Sequence, residues 1–98
     1  MAKSIIQEDR EHCFVCGRNA HAEYFGLDEH HVFFGPNRKK SEKYGLKVYL
    51  CHERCHLYGV HKDAELNRRV QKVVQKRAMQ YYKWSVEDFR AIFGRSYI

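Results

Sequence analysis

The chain has 98 residues, 44% of them hydrophobic and 31% charged, with a net charge of +6. This fits one folded domain over residues 1–98 and excludes a disordered chain, while the basic excess favours a polyanionic partner, nucleic acid above all. No apolar run approaches the ~18 residues of a membrane span, and the opening MAKSIIQEDREH lacks the apolar stretch and cleavage site of a secretory signal, so the expectation is a cytoplasmic protein without membrane contact.

The first eleven residues read as a polar tail or an entry strand. Cys13-Phe-Val-Cys16-Gly17 follows, a C-x-x-C pair whose trailing glycine permits a sharp turn that faces backbone amides toward the sulfurs. His30-His31-Val32-Phe33-Phe34 is a short β-prone run ended by Gly35-Pro36-Asn37. Arg38-Lys39-Lys40-Ser41-Glu42-Lys43 reads as a basic loop. Beyond Gly45, Leu46, Val48 and Leu50 alternate with Lys47 and Tyr49, the pattern of a half-buried strand that Cys51 closes. A helix is expected to begin around Glu53 to Cys55. A longer helix, from about Asp63 to Tyr82, would carry its apolar stripe on Leu66, Val70, Val73, Val74 and Tyr81. Ser85-Val86-Glu87-Asp88 has the form of a helix cap, Phe89, Ile92 and Phe93 give the last helix an apolar side, and Gly94 stops it.

Four cysteines in a reducing compartment point to metal ligation. Cys13 and Cys16 form one pair, and Cys51 and Cys55 form another, four apart at a helix start where both sulfurs can share a face. A tetrahedral zinc ion takes four such ligands. Two pairs some thirty-five residues apart would join a knuckle to a strand-helix junction, a treble clef, and supply the staple that a core this small needs. Two disulfides or buried free thiols are the alternatives. His52 or His56 could also replace a cysteine as ligand, because x2 is the commoner spacing at such a helix start.

Hydrolysis of a phosphodiester needs a base for water, stabilisation of the phosphate charge and assistance to the leaving oxygen. A histidine can do the first near neutral pH, and a divalent cation the other two. Cys13-x2-Cys16, Glu29-His30-His31-Val32 and Leu50-Cys51-x3-Cys55-His56 together resemble the HNH (His-Me finger, ββα-metal) endonuclease family over residues 12 to 62. The stretch 38–46 and the ending Phe93-Gly94-Arg95 are also similar to short phage HNH proteins and to RecA-dependent recombination-enhancement nucleases. The resemblance implies an α+β treble-clef ββα-metal core with a helical extension over 63–98. It implies a phage-encoded enzyme that nicks DNA, with His31 as general base, His30 and His56 as ligands of the catalytic cation, and His61 as a further ligand. Abundance favours magnesium or manganese as that cation, whereas imidazole ligands suit manganese, nickel or zinc. Adjacent residues of a strand point to opposite faces, so His30 and His31 can share a site only if the strand ends or bulges between them.

The family's middle asparagine is missing. Asn37 is the nearest candidate and lies early, which leaves open what orients His31. Arg38, Lys39, Lys40 and Lys43 are expected to neutralise phosphates beside the cut without reading sequence. The exposed face of the long helix, with Arg68, Arg69, Lys72, Lys76 and Arg77, is a weaker candidate. Phe33 and Phe34 are expected to pack one inward and one outward, and Tyr81, Tyr82 and Trp84 to pack between helices. His12, His21 and His52 read as surface or packing residues. Double-strand cutting would need a homodimer or a protein partner. The competing readings are a catalytically silent zinc module that binds nucleic acid and a zinc-stabilised protein adaptor.

Overall fold

The computed structural model describes residues 3–20 and 26–98; His21 lies outside them. The fold is mixed α+β. Strand β1 (Leu27–His31) pairs antiparallel with β2 (Lys47–Cys51), and helix α1 (Arg38–Lys43) fills the connection. A nine-residue π-helix (His52–Val60), α2 (Ala64–Tyr82) and α3 (Val86–Phe93) complete the chain. The register sets His30 opposite Val48 and His31 opposite Lys47.

The first strand begins three residues earlier than the sequence pattern predicts and ends at His31. Phe33 is the reason: it turns inward against Phe89, Phe93 and Tyr97, at 5.4, 5.0 and 4.9 Å between ring centroids. The chain therefore leaves the sheet after one more backbone hydrogen bond, from Val32 to Leu46. The expected basic loop at 38–43 is instead helical. Pro36 starts a 3-10 turn (Gly35–Asn37) that runs directly into α1. Ser41, the buried residue of α1, ties it down by donating to the Leu46 carbonyl and accepting from the Phe33 amide. The helix expected from 53–55 starts at His52 and has π geometry.

The N-terminal segment is more than a tail, because it runs along the free edge of β2. Ile5 donates to the Gly45 carbonyl, the Ser4 hydroxyl to that of Lys47, the Tyr49 amide to the Gln7 side chain and the Phe14 amide to the Tyr49 carbonyl. An edge that would otherwise offer unpaired backbone groups is thus covered. Gly45 permits the close approach: at φ 70° it sits where a Cβ would collide with the Lys3 carbonyl.

The helical extension follows its caps. The Asp63 side chain accepts from the amides of Glu65 and Leu66, and Ser85 forms a capping box with Asp88. Along α2, Val70, Val74, Gln75 and Ala78 are buried, whereas Val73 and Tyr81, expected in the apolar stripe, face outward. Buried Gln75 holds the C-terminal tail through Ser96 and Tyr97. Tyr82 stacks on Trp84 at 4.6 Å, as helix packing requires.

Candidate metal centre and the histidine cluster beside it

The four cysteines converge, with all Sγ atoms within 4.8 Å of one another. Cys16 lies 3.6 Å from Cys51, and Cys51 lies 3.8 Å from Cys13. A disulfide would require about 2.05 Å. Zn–S bonds of about 2.3 Å in a tetrahedron place the sulfurs about 3.8 Å apart. The thiols are free, and all but Cys16 are buried. Gly17 supplies the expected turn: at φ 77° its amide donates to the Cys13 carbonyl, while the Cys16 amide faces the Cys13 sulfur at 3.5 Å. Burial pushes the Cys13 thiol up, but backbone amides outweigh it and bring it down to about 7. Burial and the neighbouring sulfurs push Cys55 far upward. Four thiolates this close repel one another, and a dication relieves that repulsion. The cluster can therefore hold a structural metal such as zinc.

A second cluster lies on one face of the sheet. The ring nitrogens of His30, His56 and His61 approach within 4.8 Å of one another. Nε2 of His56 and Nε2 of His61 are 3.0 Å apart. The His30 Nε2 is buried and has no hydrogen-bond partner among the described residues. Burial, then the charges of His56, His61 and His31, lowers the His30 pKa to about 3, so its imidazole is neutral, the form a metal binds. The π-helix accounts for the His56–His61 pairing. Its hydrogen bonds span five residues, and the His61 amide donates to the His56 carbonyl. In an α-helix the two side chains would diverge by about 140°.

Asp28, which the sequence reading missed, supports this group. One of its carboxylate oxygens faces Nδ1 of His56 at 2.8 Å and Nδ1 of His52 at 2.7 Å. With Nδ1 of His56 held by a carboxylate, Nε2 is left for an ion. His52, expected to be a bland surface residue, is thus the other arm of this bridge. Asp28 stands two residues before His30, the spacing of one strand face, and that was the available signal.

His31 is not in this group. β1 runs regularly through both histidines, without the expected break or bulge between them, and His31 leaves on the opposite face. There its Nε2 lies 3.0 Å from Glu42 and 3.9 Å from Glu29. Lys47, opposite His31 in register and only 2% exposed, reaches Glu42 at 3.0 Å and Glu29 at 3.5 Å. A carboxylate pinned by a buried lysine therefore holds the His31 ring through Nε2. Asn37 has no part in this, since its amide donates to the Phe93 carbonyl.

Of the basic residues on α1, Lys40 donates to the Ile92 carbonyl and Lys43 lies over the Tyr44 ring at 5.3 Å. Arg38 and Lys39 are exposed. Phe33 is buried, whereas Phe34 is exposed and packs beside His30 and His61. No helix among the described residues is long and apolar enough to cross a membrane. No family model matches the chain, and no curated protein and no solved structure matches it significantly.

Proposed function

We propose that the protein is a metal-dependent endonuclease of the HNH type, with a treble-clef zinc staple and a ββα-metal core, that nicks DNA by hydrolysing a phosphodiester bond. The observation that carries this reading is the buried, unpartnered Nε2 of His30 within 4.8 Å of the His56 and His61 ring nitrogens, a donor set suited to a divalent cation. Such a cation, when bound, supplies charge stabilisation to the phosphate and the leaving oxygen. Three imidazoles favour manganese, nickel or zinc, and abundance favours magnesium or manganese.

The chain's own residues provide the rest. His31 acts as general base through Nδ1, because Nε2 is engaged with Glu42. Glu42 fixes the ring and stabilises the imidazolium that forms on taking the proton, the part the absent asparagine leaves unassigned. Lys47 keeps Glu42 in place. Arg38 and Lys39, on the helix that carries Glu42, neutralise neighbouring phosphates. Since His30 and His31 leave β1 on opposite faces, the scissile phosphate has to straddle the end of that strand to meet both. One active centre cuts one strand, and a second copy or a partner would be needed to cut both.

The separation of His31 from the three-histidine group favours a second reading, a zinc module that binds nucleic acid without cutting it. A plasmid-nicking assay with magnesium, manganese, nickel or zinc separates the two. Nicking by the wild type and its loss, about a hundredfold or more, in His31→Ala is the expected result. DNA binding without cleavage under every ion would establish the silent module, and equal cleavage by His31→Ala would remove His31 as the base.

A further inference from the structure

Between the N-terminal segment and the C-terminal end of α2 lies a cleft of about 690 Å³, within the range of small-molecule sites. Tyr49 lines it, together with Lys3, Arg10 and Tyr81. Tyr49 is 7% exposed, and its hydroxyl is buried without a hydrogen-bond partner among the described residues. A buried orphan hydroxyl costs stability, so its retention asks for an explanation. The Arg10 guanidinium lies 5.7 Å from the centre of the Tyr49 ring. Tyr81 is 64% exposed, and its ring is held edge-on against Tyr82 at 4.9 Å, a preset flat surface at the mouth. The other polar groups of the lining are committed, Ser4 to the Lys47 carbonyl and Gln7 to the Tyr49 amide and the His12 carbonyl.

We propose that this cleft binds one nucleotide of a single-stranded nucleic acid, its base stacked on Tyr81 and its phosphate between Lys3 and Arg10, with the Tyr49 hydroxyl as an added donor when Arg10 swings onto the phosphate. Exposed aromatic rings beside cations are the recognition elements of single strands. The charge selects the ligand form. Among the described residues, Lys3 and Arg10 stand against one lining carboxylate, Glu8, which leaves a single positive charge. That balance matches one phosphodiester and disfavours a free nucleoside triphosphate. Tyr49 shares a sheet face with Glu29 and His31, so the cleft would hold a strand that continues past the His31 side of the sheet. The assignment rests on the nucleic-acid part of the endonuclease reading but not on catalysis.

The test is fluorescence anisotropy of a labelled oligothymidylate with the full chain, without added magnesium or manganese. Tyr81→Ala should weaken binding about tenfold. The double variant Lys3→Ala/Arg10→Ala should lower the slope of log affinity against log salt by about 0.7, the share of one phosphate on a single strand. Tyr49→Phe should weaken binding while leaving the melting temperature unchanged or higher, an outcome a merely structural hydroxyl would not give. Unchanged affinity in all three variants would overturn the cleft and leave the endonuclease reading standing. No binding by the wild type at low salt would overturn the cleft as a single-strand site, and the plasmid-nicking assay would then judge the endonuclease reading by itself. Competition by thymidine monophosphate as tight as by the oligonucleotide would replace the strand with a free nucleotide.

Discussion

Lys47 is the residue on which the His31 side of the sheet turns. It is almost fully buried and contacts both Glu42 and Glu29, which remain 27% and 30% exposed. The two ends of this ion cluster should therefore respond differently. Lys47→Met leaves two carboxylates that water can still reach, so the expected loss in urea unfolding is small, about 1 kcal/mol or less. Glu42→Gln strands a buried ammonium beside Glu29 alone and should cost more, about 3 kcal/mol. Equal losses would show that the cluster is not organised around the lysine. His30 gives a pH dependence of definite sign. Its pKa is held near 3 in the folded chain by burial and by neighbouring histidine charges, against 6.5 for a free histidine. Below pH 6.5 the unfolded chain takes up a proton that the folded chain refuses, so stability declines as the pH falls toward 3. Melting temperatures across that range should drop for the wild type, and the drop should be shallower for His30→Leu.

The elements position these residues through their periods. Strand alternation sorts β1 into two sets, Asp28 with His30 and Glu29 with His31, and this divides the histidine pair between two environments. The π-helix does the opposite, bringing together two histidines that an α-helix would separate. The cap of α3 was legible because Ser85 acts through hydrogen bonds to Asp88, three positions away, whereas Asp63, expected only as the start of α2, caps that helix through the amides of Glu65 and Leu66. Asp63→Ala should cost about 1 kcal/mol, a fall in melting temperature of about 4–8 °C, since the amides of Glu65 and Leu66 lose their acceptor. A scanning calorimetry trace unchanged by the substitution would mean that tertiary packing alone fixes the start of α2. The α1 helix was not legible. Its residues carry no apolar stripe, and it forms because Pro36 starts a turn and Ser41 finds two buried partners.

For the whole molecule, the sulfur cluster joins the segment around Cys13 to the strand-helix junction at Cys51 and Cys55, and these three cysteines belong to the hydrophobic cluster that runs from Ile6 to Phe93. With so small a core, metal binding at these thiols should be a large part of the folding free energy. Elemental analysis should find about one zinc per chain held through dialysis. A strong chelator, or Cys51→Ser, should abolish the cooperative melting transition. A chain that keeps its transition after zinc has been stripped would show that the aromatic core suffices.

Short-range patterns were readable from the order of residues alone. They include the two cysteine pairs, the strand that ends at Cys51 and the cap of the last helix. Each depends on contacts or periods spanning a few residues, or on ligand chemistry that the residue types declare. The placement of His31 depended on the fold. So did the carboxylates at Asp28 and Glu42, the burial of Lys47 and the cleft along the N-terminal segment. These follow from strand register, from π rather than α winding and from segments some forty residues apart meeting along the edge of β2. Local composition carries no record of which side chains such meetings bring together.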